Sequence, residues 1–140
     1  MMTIRALEQG WVLETKSTGY SFGVNKAGLL AHSYWGKKLP YLQDYPQPAD
    51  SEGWASFNGA AHVTPEEYPA YAGTSYVDPC LKATFADGVR DVVLRFESAQ
   101  TRQVDVPELD IYLADVHYPF KVTLHYRVHA AHDLIERWAT

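Results

Sequence analysis

Six histidines, a single cysteine and a set of acids and aromatics in the first half of the chain are the side chains with chemistry to offer. His125 and His129 stand four apart where apolar and polar residues alternate. In a strand that spacing puts both on one face about 13 Å apart, too far to share an ion. His62 sits among prolines and glycines, His32 precedes Ser33-Tyr34-Trp35, and no His-Glu-x-x-His spacing occurs. The histidines are therefore expected to be structural or on the surface, with no metal and no cofactor. Cys80 follows Pro79 at the start of an apolar run and is expected to be a small buried side chain, not a nucleophile. Gly-x-Ser-x-Gly and glycine-rich phosphate loops are absent.

Asp44, Asp50, Glu52, Glu66 and Glu67 lie in or beside an aromatic stretch. Two carboxyl groups across a sugar are what glycoside hydrolysis needs, but sequence spacing does not set their separation. Trp54 with Asp50 or Asp44 has the chemistry for sugar contact, since a sugar offers apolar ring faces and hydroxyl edges. The plainer reading is that Trp54 and Phe57 pack over a sheet edge.

The elements that must position these groups are strands. Trp11, Leu13 and Thr15 alternate with polar or outward neighbours, as do Tyr20, Phe22 and Val24, and Thr18-Gly19 turns between them. A third run alternates Leu29, Ala31, Ser33 and Trp35 against Leu30, His32 and Tyr34, completing a three-stranded meander. Residues 37–65 lose all period and hold Pro40, Pro46, Pro48, Gly53, Gly59 and Pro65. A loop of that length is uncommon in a compact domain, and its content of Tyr41, Tyr45, Trp54 and Phe57 predicts that it is at least partly ordered. Beyond it, strands are expected at 80–85 and 89–98 around an Asp87-Gly88 turn, then at 109–113 and 120–129. Residues 133–140 read as a strand interrupted by the end of the sequence. The fold expected is all-β, an antiparallel β-sandwich, with residues 1–140 forming one domain or a fragment of one.

Composition narrows the partners. Twelve basic against seventeen acidic residues give a net charge of −5 without a block of either sign, which makes nucleic acid an unexpected partner, since phosphate binding draws mainly on clustered basic residues. One cysteine forms no internal disulfide and fits a reducing, cytoplasmic setting. Residues 1–10 lack an apolar core of signal-peptide length, and no run approaches the roughly 18 apolar residues of a membrane span.

His32-Ser33-Tyr34-Trp35-Gly36-Lys37-Lys38, followed by Glu67-Tyr68-Pro69-Ala70-Tyr71, resembles the opening domain of bacterial α-galactosidases of glycoside hydrolase family 36. Their pattern is His-x-Tyr-Trp-Gly and then Glu-Tyr-Pro-Ala-Tyr-Gly. Gly19-Tyr20-Ser21-Phe22, Asp78-Pro79, Asp87-Gly88, Leu94-Arg95-Phe96, Val122-Thr123-Leu124-His125-Tyr126 and Asp133-Leu134-Ile135-Glu136-Arg137 continue the agreement in register. Ala72 to Val77 depart from the family's usual Gly, Asp and Arg, and residues 98–107 are shorter than its usual segment.

The resemblance implies a supersandwich, here its first half, ahead of a (β/α)8 barrel whose two aspartates carry retaining hydrolysis. No catalytic residue is then expected in this chain. It implies a homo-oligomer in which the long loop approaches a sister subunit's active site, making Asp44, Asp50 and Trp54 candidate contacts to terminal α-galactosides in trans. His32, Tyr34, Trp35, Gly36, Tyr68, Pro69 and Tyr71 are implied to be structural. The alternatives are a free-standing carbohydrate-binding module and a small β-sandwich sugar epimerase or mutarotase.

Overall fold

Apolar alternation in the first third of the chain folds as four antiparallel strands in sequence order: β1 (Ile4–Ala6), β2 (Gly10–Glu14), β3 (Thr18–Val24) and β4 (Leu30–Lys37). A second antiparallel sheet holds β5 (Leu94–Arg102), β6 (Glu108–Asp115), β7 (Lys121–His129) and β8 (Leu134–Ala139), again in chain order. This computed structural model describes residues 2–50, 53, 55–72 and 76–140. The two sheets face each other across one core in which Ile4, Leu13, Phe22 and Leu30 meet Leu94, Leu109, Ile111, Leu124 and Tyr126. Phe22 stacks on Tyr126 with ring centres 4.9 Å apart. The β-sandwich follows directly from strands that are apolar on one face.

Three local features differ from the sequence reading. β1 extends the meander on its outer side, pairing Ile4 with Leu13. No strand forms at 80–85: Leu81 makes a single parallel bridge to Ala70, and Phe85 stacks on Tyr118 at 3.7 Å. β5 starts at Leu94, because the Val92 amide goes to the Tyr71 carbonyl and the Val93 amide to the Asp115 carboxylate, partners outside any ladder. The Asp87-Gly88 turn is present, with Gly88 at φ +86° and its amide on the Phe85 carbonyl.

A fourth difference lies in β4. Ser21 pairs with Tyr34 and Phe22 with His32, so Ser33 is an extra residue and the strand bulges there. The strict alternation that set Trp35 opposite His32 is thereby broken. His32, Trp35, Tyr20 and Phe22 share the inner face, while Tyr34 and Gly36 point outward.

The outer face of the first sheet is covered by the long loop. Tyr45, only 1% exposed, closes a 3-10 turn (Leu42–Asp44) and lies against Gly19 and Tyr34. Its hydroxyl donates to Glu14 (3.1 Å) and accepts from the Leu39 amide (3.1 Å). Glu14 is itself buried and paired with Arg5 at 3.2 Å and Lys38 at 3.7 Å. Among its described residues the loop is partly ordered, as its aromatic content predicted, and its second half carries one helical turn, α1 (Ala60–Val63). At the other end of the sandwich Asp133, at φ +53°, accepts from the Thr15 hydroxyl (2.8 Å) and the Ser17 amide (2.7 Å), tying the β7–β8 connection to the β2–β3 turn.

A Cβ at Gly19 would stand 2.1 Å from the Tyr45 hydroxyl, whose position is fixed by two hydrogen bonds. Gly19→Ala is therefore expected to lower stability by about 1–3 kcal/mol in chemical denaturation. Gly59→Ala, with open space around it, is expected to change stability by less than about 1 kcal/mol. Equal effects of the two substitutions would mean that Tyr45 is not held where it is seen.

Candidate functional site

The segment leaving the long loop re-enters the fold along β4. His32 N–H donates to the Pro65 carbonyl (2.8 Å) and Glu67 N–H to the Leu30 carbonyl (2.8 Å), with Ala31 bridging to Glu66. This places the Glu67 side chain, 1% exposed, between the two sheets. Tyr20 of β3 and Tyr126 of β7 both donate to its Oε1, at 2.5 and 2.9 Å. His32 Nδ1 lies 3.1 Å from Oε2. Arg137 of β8 sits 3.6 Å from Oε1 and donates to the Glu67 main-chain carbonyl. Five segments thus converge on one carboxylate.

The electrostatics follow from enclosure. Burial, and then the Glu67 charge, raise the pKa of both Tyr20 and Tyr126, so both remain neutral donors. Burial opposes the charge on Arg137, but its neighbours Tyr126, Glu67 and Tyr20 outweigh it and hold the guanidinium above its ordinary pKa. Both Glu67 carboxylate oxygens are engaged, Oε1 by two tyrosine hydroxyls and Oε2 by the His32 ring, so the group acts as a strut between the sheets. Glu66 faces a different situation: burial alone pushes its carboxyl up to about 7.

Beside this cluster a cleft of about 390 Å³ opens between the sheets, lined by Tyr20, His32, Trp35, Leu134, Ile135 and Arg137. Trp35 is 73% exposed, with the Tyr20 ring edge-on at 6.0 Å. Sequence reading missed this convergence, although a tyrosine on an apolar face was the available signal: Tyr20 and Tyr126 alternate with core residues and their hydroxyls need partners.

The other motif residues have local roles. The Tyr34 hydroxyl caps the Lys37 carbonyl at 2.9 Å, and Gly36 leaves room for that ring. Arg137 lies over the Tyr68 ring, the Pro69 carbonyl takes the Cys80 amide, and Arg90 lies over the Tyr71 ring. Cys80 is exposed, contrary to the buried position expected, because no strand carries it inward. His125 and His129 share the outer face of β7, each with its own acid: Asp110 at 2.7 Å and Glu136 at 2.9 Å. His125 also reaches the Thr140 hydroxyl and stacks on Trp138. Among the described residues no group of three or more metal-ligating side chains is assembled.

Asp44 and Asp50 are not among the residues lining the cleft. Asp44 is exposed within its 3-10 turn. Asp50 accepts from the Lys26 amide (2.7 Å) and pairs with its ammonium (3.2 Å), and these contacts, the backbone one first, hold its pKa below the ordinary value. Trp54 and Glu52 lie outside the described residues. Phe57 is 75% exposed, so it does not cover a sheet edge.

A family model for the glycosyl hydrolase family 36 N-terminal domain matches residues 28–140. The fold is similar to that of the galactosidase domain of an α-galactosidase-sucrose kinase, with 26% identity and a TM-score of 0.80 over 97% of this chain and 22% of that one. It is also similar to the family 36 α-galactosidase AgaB from Geobacillus stearothermophilus (23%, TM-score 0.79, 99% and 22%). The α-galactosidase from Lactobacillus brevis gives 20% and 0.69, covering 93% and 21%. The chain therefore spans about a fifth of the length of these structures. No curated protein sequence matches it.

A carboxyl whose pKa is raised on folding ionises first in the unfolded chain. Stability held by neutral Glu66 is thus present in full below about pH 4.5 and is lost as pH rises to about 7, the value to which burial pushes it. Glu66→Gln is expected to match the parent at pH 4 and to exceed it at pH 8 by on the order of 1–3 kcal/mol in thermal or urea unfolding. A difference that does not change with pH would rule out this assignment.

Proposed function

Because the chain belongs to the glycosyl hydrolase family 36 N-terminal domain family, we propose that it is the non-catalytic opening domain of an α-galactosidase, shaping oligomerisation and the rim of a pocket for terminal α-galactosides. The observation that carries this reading is the division of its polar groups. The carboxylate inside the sandwich is held by Tyr20, Tyr126, His32 and Arg137, whereas the long loop is anchored at Tyr45 and presents Asp44, Asp50 and the Phe57 ring outward.

In this reading the two catalytic carboxyl groups of a retaining mechanism belong to a (β/α)8 barrel of the same polypeptide. Asp44, Asp50 and Trp54 meet the sugar in a sister subunit, in a cytoplasmic homo-oligomer. An aromatic face with a neighbouring carboxylate suits a galactoside, whose one apolar face stacks while its hydroxyls accept and donate hydrogen bonds. The 1–140 unit then supplies surface to a site whose bond-breaking groups lie elsewhere.

The 140-residue chain is expected to leave p-nitrophenyl α-galactoside hydrolysis at the solvent rate. In the full-length protein, Trp54→Ala and Asp44→Asn are expected to raise KM for raffinose about tenfold or more each, the size of one lost contact of about 1.4 kcal/mol. Galactoside cleavage by the short chain would contradict the proposal. Saturable binding of melibiose by the short chain alone would instead make it a carbohydrate-binding module.

A further inference from the structure

We propose that Asn25 is a positioning residue for the sugar-rim loop, a buried clasp that closes residues 50–63 at their neck. The inference rests on the reading of that loop as a substrate contact. Asn25 ends the β3 ladder and is 6% exposed. Its Oδ1 accepts from the Ala27 and Leu29 amides at 3.1 and 3.0 Å, which shapes the β3–β4 turn together with Gly28 at φ +77°. Its Nδ2 points the other way and donates to the Ala49 carbonyl (3.3 Å) and the Thr64 hydroxyl (3.1 Å). One carboxamide has two donor hydrogens and an oxygen that accepts twice, and all of that capacity is used.

Ala49 and Thr64 bracket the loop. A single side chain therefore ties together Ala49 and Thr64, the residues that flank 50–63. The neighbouring contacts reinforce the neck: Asp50 is tied to Lys26, the residue after Asn25, and the Thr64 amide returns to the Ala60 carbonyl of α1. Immediately beyond Thr64 the chain joins β4 through Pro65 and Glu67. Tyr45 clamps the first part of the long loop, through Glu14, Gly19, Tyr34 and Leu39. The segment bearing exposed Phe57 is thus aimed by the turn after β3.

Two substitutions separate the clasp from the turn. Asn25→Asp keeps the acceptor that the turn requires and removes both donors. Thr64→Val is nearly isosteric and removes one arm only. In the 140-residue chain, chymotrypsin cleavage at Phe57 under native conditions is expected to accelerate about tenfold in Asn25→Asp and by less in Thr64→Val. In the full-length protein, both variants are expected to raise KM for raffinose, about tenfold for Asn25→Asp, with kcat within about twofold. Unchanged cleavage in both variants would overturn the clasp. Faster cleavage with unchanged KM, in a protein where Trp54→Ala does raise KM, would overturn the positioning role. If Trp54→Ala and Asp44→Asn also leave KM unchanged, the reading of the loop as a substrate rim fails and takes the positioning role with it, while the cleavage rates still decide whether the clasp exists.

Discussion

A carboxylate enclosed between two sheets persists only where donors surround it, because an uncompensated buried charge costs several kcal/mol. Glu67 meets that condition with a hydroxyl from each sheet, an imidazole from β4 and a guanidinium from β8. Its own backbone is fixed by the ladder contact to Leu30. The arrangement links sequence positions that are far apart, so the loop's return path, the spacing of the sheets and the seating of β8 are all set by one group. The Ser33 bulge belongs to the same device, since without the extra residue His32 and Trp35 would face opposite sides of β4.

Two further buried polar side chains act on the loop in the same manner. Glu14, compensated by Arg5 and Lys38, receives the Tyr45 hydroxyl on the outer face of the first sheet. Asn25 receives the loop's second half. A long segment whose regular structure is limited to two short helical turns is fixed to the scaffold by a few directional contacts. Such contacts fix the roots of the loop while Phe57 stands exposed.

Much of the scaffold was legible before any coordinates. Tyr20-Phe22-Val24 and Val122-Leu124-Tyr126-Val128 alternate strictly, and each forms the strand that its period of two requires. The long loop was legible from its prolines, and the partial order of its described residues from its aromatics. The segment 80–85 misled, because its apolar residues resemble a strand while their backbone partners, Pro69 and Tyr71, come from a segment whose path no local pattern encodes. Cys80 was misplaced for the same reason. The bulge at Ser33 was illegible because a bulge is decided by the partner strand, not by the residue inserted.

The sequence by itself determined most of the strands, the sandwich class and the family motifs, because side-chain period and short-range turn chemistry are properties of neighbouring residues. It placed His32 and Glu67 in two separate motifs without connecting them. Only the tertiary structure decided that these two, with Tyr20, Tyr126 and Arg137, form one buried cluster, and that Asn25 holds both ends of residues 50–63. Hydrogen bonds between residues tens of positions apart depend on how the sheets stack and where the loop re-enters, and that geometry is fixed only when the whole chain has folded.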